Sequence, residues 1–146
     1  MSEQDRDVLD EVLRDHGEIK ELFAVLEGAS GEQKSAVFAN LAAKLKAHET
    51  AEQQVVHPLL QRADATEVQH RIAEEQTADQ ELAELERMGC DDPGFDGAVR
   101  AFKSQVLQHA EAEEHEEHPR IRETVDADEL RRAASRFQEL EATVSS

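Results

Sequence analysis

Tyrosine and tryptophan are absent from this chain of 146 residues, and phenylalanine occurs only five times. The absence of tyrosine excludes any mechanism that runs through a tyrosyl radical. A single cysteine, Cys90, excludes an internal disulfide. No apolar run reaches the length of a signal-peptide core or of a membrane-spanning helix, so we predict a cytoplasmic protein.

Basic residues are also scarce, because 16 Lys and Arg stand against 34 Asp and Glu, for a formal net charge of -18. Such a charge repels phosphate backbones and anionic lipid headgroups. Nucleic acids and membrane surfaces are therefore excluded as partners, and cations are favoured.

Glycine and proline occur only six and three times, while Ala, Leu, Glu and Gln are plentiful. This composition favours long helices joined by short turns. Apolar residues recur every three or four positions, which is the spacing of an amphipathic helix. We predict an all-α fold, an antiparallel up-down-up-down four-helix bundle over residues 1–125, with a short C-terminal fifth helix in residues 126–146 packed on the bundle.

Capping residues and turns predict where the helices begin and end. We expect the fifth helix to cover one end of the bundle. The predicted bounds are a capping box at Ser2 and Asp5 with the first helix running to about Gly28, a second helix from Glu32 to Arg62, a third from a cap at Asp64 and Glu67 to Met88, a fourth from Asp92-Pro93 to Glu123, and a fifth from a cap at Asp126 and Glu129 to Leu140.

One pattern, H-x3-E-x4-H-P, occurs twice, 61 residues apart. Residues i and i+4 share a face of a helix, so each copy presents an imidazole beside a carboxylate, a pair that chelates a metal ion. The alternative is an acidic, solvated helix face with incidental histidines. The fixed residues are His48, Glu52, His57 and Pro58 in the first copy, and His109, Glu113, His118 and Pro119 in the second.

The helical phase places seven polar residues on the otherwise apolar stripes. Burying each of them without a partner costs about 1 to 3 kcal/mol, and more for a carboxylate, against a total stability of about 5 to 15 kcal/mol. We therefore predict that they line a metal site, although a wide polar face on the third helix offers another place for its two carboxylates, and Glu74 is an alternative to Asp79. The seven are His16, His48, Glu52, Glu75, Asp79, His109 and Glu113.

Other polar residues near the pattern receive different predictions. His57 lies nine residues beyond His48, half a turn round an ideal helix, so we expect it on the surface, together with most of residues 114–117. Glu49 is adjacent to the stripe and is expected to assist the ligands. The two halves also match, because His16 precedes His48 by 32 residues and Glu75 precedes His109 by 34. A pseudo-twofold relation makes Glu75 the counterpart of His16.

This set of residues provides suitable ligands for two divalent cations. Imidazole together with carboxylate suits iron, manganese or zinc, and two neighbouring ions need bridging carboxylates such as Glu52 and Glu113. The fragment His48-Glu49-x-x-Glu52 is not the H-E-x-x-H of zinc proteases, so a single proteolytic zinc is disfavoured. A further alternative has no metal and an acidic groove occupied by water.

These motifs resemble the hemerythrin-like (HHE cation-binding) domain family over about residues 5–123. The resemblance implies a non-haem centre of two iron ions (Fe2+/Fe3+), with an oxo or hydroxo bridge as an option. It also implies that the positions matching His16, His48, Glu52, His109 and Glu113 are ligands and that the two carboxylates bridge. It rests on Asp15-His16, on His48-x3-Glu52 ending in Pro58, and on His109-x3-Glu113 ending in Pro119.

The third helix departs from the family pattern. Members usually carry one or two histidines there, whereas this chain has Glu75 and Asp79, and His70 lies too far round to replace them. Reversible oxygen carriage goes with a histidine-rich centre, and a carboxylate-rich set is similar to that of diiron oxidases and peroxide-handling proteins.

We therefore expect a diiron protein that reacts with peroxide, oxygen or nitric oxide in oxidative stress and iron homeostasis. Peroxidase-like or catalase-like activity is left open. The alternative is a module that binds, senses or stores iron or another divalent cation without turnover. The expected partner is a small diatomic or peroxide ligand, and the expected assembly is a monomer or a weak dimer.

Overall fold

The computed structural model describes residues 5–145, and the regular elements in that range are all helical. Two five-residue π turns, Glu52–Val56 and Glu113–Glu117, join α2 to α3 and α5 to α6 without a break, so that α2–α3 and α5–α6 are two continuous helices. Five long helices result, and four of them form the predicted bundle. The α-helices are α1 Val8–Gly28, α2 Gly31–Ala51, α3 His57–Ala63, α4 Ala65–Met88, α5 Phe95–Ala112, α6 His118–Thr124 and α7 Ala127–Ser145.

Short polar side chains cap several of the helices where the sequence predicts a cap. The Asp64 carboxylate accepts a hydrogen bond from the backbone N–H of Glu67 at the start of α4. The Asp126 carboxylate accepts one from Glu129 at the start of α7. Helix α4 ends at Met88 as predicted, and the following Gly89 has φ 80°, a conformation that favours glycine.

Other predicted ends differ from the structure. The described part of the first helix begins at Val8, where Asp7 and Asp10 form a reciprocal capping box, and Ser2 lies outside the described residues. The prediction that the fourth helix begins at Pro93 is wrong, because the preceding segment forms a turn and α5 starts at Phe95.

The fifth helix is longer than predicted and packs elsewhere. It continues to Ser145 instead of ending near Leu140, and it lies along α1 and α2 instead of covering one end of the bundle. Glu129, near its start, accepts a hydrogen bond from Arg62 of α3. Glu141, near its end, lies 3.6 Å from Lys44 of α2. These contacts show that α7 runs antiparallel to α2–α3.

Two apolar clusters fill the interior, one towards each end of the bundle. Polar residues of α1, α2, α4 and α5 form a layer between them. None of the helices within residues 5–145 is long and apolar enough to cross a bilayer. The first cluster includes Val8, Leu9, Val55, Leu60, Ile121 and Phe137, and the second includes Ile19, Phe23, Leu41, Leu82, Phe95 and Phe102.

Each π turn is followed by a His-Pro pair. Pro58 has no N–H and would clash with the carbonyl four residues earlier in a regular α-helix. The backbone takes in one extra residue instead, and the N–H of His57 donates to the carbonyl of Glu52, five residues back. The same arrangement precedes Pro119. Residues beyond each turn are therefore rotated by about 100° relative to a regular helix.

One arginine is enclosed in the bundle. Arg71 of α4 is 2 % exposed, and its Nε donates to Glu117 Oε2 at 2.7 Å. Its other nitrogens contact Glu67 and Glu74. Within residues 114–117, most of which are predicted to lie on the surface, Glu117 is the buried exception, because it is only 3 % exposed. Burial alone would lower the pKa of Arg71, but the surrounding carboxylates raise it. The network joins α4 to the second π turn.

We expect Arg71→Met to reduce the free energy of unfolding by about 3 kcal/mol or more, because it leaves the Glu117 carboxylate buried without its cation. The matched control is Arg87→Met on the same helix. Arg87 is 74 % exposed and also pairs with a glutamate three residues away, so its loss should change stability by less than about 0.5 kcal/mol. Urea unfolding of both variants measures the difference, and equal losses would contradict the assignment.

Candidate metal centre

The polar layer gathers six of the seven predicted site residues. In each repeat, Nε2 of the histidine faces the glutamate four residues later. His48 Nε2 lies 2.7 Å from Glu52 Oε2, and His109 Nε2 lies 3.0 Å from Glu113 Oε1. Glu52 and Glu113 are 2 % and 1 % exposed, and His109 is the most accessible of the four. The two glutamates are therefore the deepest members of the layer.

Within residues 5–145, three groups of ligand atoms are close enough to hold a cation. One consists of Asp15, His48 and Glu141, and the other two share Glu52. His16, His48 and Glu52 place one ligand atom each within 4.8 Å of one another, and Glu52, Glu75 and His109 form a second such group. Glu52 belongs to both groups. Glu113 also touches both, since its Oε1 lies 3.7 Å from His16 Nε2 and 3.0 Å from His109 Nε2. The two carboxylates are thus placed between two neighbouring positions, as bridging ligands are.

The other ring nitrogen of each of these histidines meets a carboxylate. Nδ1 of His48 donates to Asp15 at 2.8 Å, and Nδ1 of His16 donates to Glu114 at 2.7 Å. Nδ1 of His109 lies 3.4 Å from Glu74, and it also accepts a hydrogen bond from Arg71, its closer partner at 3.0 Å. A carboxylate on one nitrogen fixes the orientation of the ring and leaves the other nitrogen free for a metal. All three imidazoles therefore present Nε2 to the centre.

These contacts obey the pseudo-twofold relation between the two halves. Asp15 precedes His16, just as Glu74 precedes Glu75, and the two acids support His48 and His109 respectively. A second set of contacts repeats in the same way. Glu114 contacts His16, and its counterpart in the first repeat, Gln53, donates to Glu75 at 3.4 Å.

Asp79, the seventh predicted residue, is not inside the bundle. It is exposed, lines the cavity beside the centre, and belongs to neither of the two groups of ligand atoms. Its carboxylate neighbours Glu49, whose pKa is raised to about 9 by burial and by the charges of Asp79, Glu75 and Glu52. Glu74 is also exposed and acts through His109. This side of the centre is crowded with acids.

The prediction that His57 is a surface residue is wrong. His57 is 7 % exposed and its repeat partner His118 is 5 % exposed. Nine residues of regular helix turn His57 half a turn away from His48, but the π turn takes in one residue and reduces this to about a quarter turn. The two His-Pro pairs carried this information, because a proline within a continuing helix demands a local irregularity.

Several buried atoms around the centre lack an aligned hydrogen bond. Across residues 5–145, Glu113 Oε1, His57 Nε2 and His118 Nε2 are enclosed without an aligned hydrogen bond. Buried polar groups are nearly always satisfied, so each such group requires an explanation. Burial also lowers the pKa of His118 to about 4, with Glu52 opposing and His16 reinforcing this shift. Imidazole nitrogens and carboxylate oxygens are the ligands of iron, manganese and zinc. The residues present fit a pair of such cations.

A cavity of about 370 Å³ adjoins the centre. One wall carries the polar residues of the centre, including His16, His48 and Glu113. The remaining walls are largely apolar, and helical periodicity alone does not indicate such a pocket. These walls include Ile19, Leu45, Ala78, Leu82, Phe102 and Val106.

Comparison with known proteins agrees with this geometry. The family model of the hemerythrin HHE cation binding domain matches residues 7–121. A crystal structure of a hemerythrin HHE cation binding domain-containing protein from Mycobacterium kansasii is similar in fold, with a TM-score of 0.86 and 22% sequence identity over 96% of this chain and 88% of that one. Among curated proteins, none matches the sequence. The chain therefore belongs to the hemerythrin HHE cation-binding domain family and is a metal-binding module.

Proposed function

We propose that this protein holds two iron ions and reacts with peroxide, oxygen or nitric oxide in redox and iron homeostasis. The observation that carries the proposal is the pair of ligand groups that share Glu52 and are both touched by Glu113. A single cation would use one group and leave the other buried acids unneutralised. Two cations use both groups.

The donor set divides between the two ions. His16 and His48 would hold one ion, Glu75 and His109 would hold the other, and Glu52 and Glu113 would be shared. When bound, a pair of iron ions supplies redox chemistry by alternating between the ferrous and ferric states. The hard, anionic oxygen donors favour the ferric state, which supports oxidation by peroxide or oxygen over reversible oxygen carriage.

The cavity supports a small, uncharged reaction partner. Its apolar walls bind ions poorly, and the net charge of -18 repels anions from its mouth. Peroxide, oxygen and nitric oxide are all small and neutral. The protein would thus orient its ligands with Asp15, Glu74 and Glu114, keep bulk water from the apolar side, and admit neutral molecules.

A second candidate is a module that binds, senses or stores iron without turnover. The acidic residues Glu74 and Asp79 on the cavity wall favour it, because they attract cations towards the centre. The two candidates share the metal centre and differ in whether the loaded centre turns over.

We expect protein purified without a histidine tag and loaded with ferrous iron to hold about two iron ions per chain. Glu52→Gln and Glu113→Gln should each reduce this to about one or fewer, because a neutral amide is a poor bridging ligand. Glu111→Gln, an exposed position with 73% of its side chain accessible, is the matched control and should retain the full content. Elemental analysis measures all four proteins. Unchanged iron in both variants would refute the shared carboxylates.

We expect the ferrous protein, loaded without oxygen, to disproportionate peroxide repeatedly into water and oxygen, a reaction that needs no added reductant. An oxygen electrode and a peroxide assay record the number of peroxide molecules removed per pair of iron ions. Consumption far above one, lost in Glu113→Gln and kept in Glu111→Gln, supports an enzyme. A single stoichiometric oxidation would instead support the sensing or storage module.

We expect the rate at which the ferrous centre is oxidised to depend on the free volume of the cavity. Ala78→Phe fills the space beside the centre and replaces none of the proposed ligands. It should slow oxidation of the ferrous centre by about tenfold, equivalent to about 1.4 kcal/mol in the barrier, and leave iron content unchanged. Ala83→Phe, at an exposed position on the same helix, is the control. Stopped-flow absorbance measures both rates. An equal rate in the two variants would show that the reaction partner arrives by another route.

A further inference from the structure

His57 and His118 are the buried histidines that the proposed ligand set leaves without a role. We propose that both are metal ligands and that their assignment is crossed. His57 would join Glu75 and His109 on one ion, and His118 would join His16 and His48 on the other. The inference rests on the proposed function, because it adds two imidazoles to the same pair of ions.

The burial of these rings is the first argument. A histidine that only fills space in a core normally satisfies its ring nitrogens with protein groups. Nε2 of His118 finds no hydrogen-bond partner within the described part of the chain, and Nε2 of His57 approaches Glu75 Oε2 to 3.2 Å without the alignment of a hydrogen bond. Both nitrogens are enclosed, so water does not satisfy them from the surface. A cation supplies the missing partner.

The backbone gives the second argument. His57 and His118 are each the residue whose N–H closes a π turn onto the carbonyl of Glu52 or Glu113. The extra residue of the turn brings each ring round towards the side of the helix that carries its glutamate. Of the seven histidines in the sequence, His70 and His115 are exposed, with 64% and 72% of their side chains accessible.

The pseudo-twofold relation gives the crossed assignment. It pairs His16 with Glu75, His48 with His109 and His57 with His118, and two sets of supporting contacts already obey it. His57 of the first repeat contacts Glu75, which belongs to the ligand group of the second repeat. The corresponding place for His118 is beside His16, in the ligand group of the first repeat.

The added imidazoles also balance the donors. Each ion then receives three unshared donors beside the two shared carboxylates, a number suited to iron, which favours more than four ligands in such sites. The first ion has three imidazoles, and the second has two imidazoles and Glu75. The third helix contributes no histidine to the proposed ligand set, and the histidines that follow the two π turns supply the imidazoles instead.

The test replaces each ring with an apolar ring of similar size. His57→Phe and His118→Phe are titrated with Fe2+ and with Co2+ under anaerobic conditions, and the visible spectrum of the cobalt protein reports its coordination. Each variant should bind one of the two ions at least about tenfold more weakly and show an altered cobalt spectrum. The controls His70→Phe and His115→Phe should match the unmodified protein in both measurements.

The crossed assignment has its own test. Asp15→Asn disturbs the hydrogen bond that orients His48, so it should lower the affinity for the ion held by His48. His118→Phe acts on that same ion, and the two effects on affinity should not be additive, whereas those of His57→Phe and Asp15→Asn should add. The reverse pattern would overturn the crossing and leave the ligands in place.

Failure of this inference is distinguishable from failure of the proposed function. If the unmodified protein binds two ions and both phenylalanine variants keep its affinity and its cobalt spectrum, the two histidines are not ligands and the diiron proposal stands. If the unmodified protein binds no ions, the diiron proposal itself fails. Circular dichroism of the metal-free variants checks folding. His57→Gln and His118→Gln repeat the titration with a polar side chain if a phenylalanine variant is unfolded.

Discussion

The arrangement of this protein depends on negative charge held in its interior. Glu52 and Glu113 lie between two apolar clusters, where a carboxylate without a counter-charge is strongly disfavoured. Burial alone would raise the pKa of Glu52, but His48, His109 and His16 hold it below its usual range. Protons on imidazoles and on acids such as Glu49 thus occupy the role that cations take. Metal binding displaces them, which links metal affinity to pH and to folding.

The two halves share a backbone pattern but differ in their surroundings. On one side, Asp15 and Phe137 pack against His48. Burial alone would lower the pKa of His48, but Glu52 and Asp15 raise it to about 10. On the other side, Arg71 lies 3.0 Å from Nδ1 of His109, and burial together with this cation lowers the pKa of His109 to about 4 despite the charge of Glu52. The two groups of ligand atoms therefore experience different electrostatic fields. The fifth helix and one buried arginine create this asymmetry.

Helical periodicity predicts most of the centre and fails where periodicity is broken. His48 and Glu52 lie four residues apart in regular α-helix, so the sequence places them on one face. His57 follows a π turn, and a constant rotation per residue puts it on the wrong face. The buried Arg71 follows the same stripe as Glu75, but arginine is almost never fully buried without partners, and its buried partner, Glu117, comes from another helix. The apolar stripe of α7 predicts that this helix packs on the bundle, but it does not indicate that the neighbours are α1 and α2.

The histidine-poor third helix takes on a different meaning beside the two π turns. Without His57 and His118, the proposed ligand set has only three histidines, and this small number disfavours reversible oxygen carriage. If His57 and His118 are also metal ligands, the number of histidine ligands no longer distinguishes this centre from a histidine-rich oxygen carrier. The distinction then lies in where the anionic donors are. Glu75 would add negative charge to only one of the two proposed ions, on the side where Glu49 and Asp79 crowd the cavity wall. An iron ion there would be held more firmly in the ferric state, so under the proposed function the two ions would release electrons unequally, which suits a reaction with an oxidant better than the loading and unloading of oxygen.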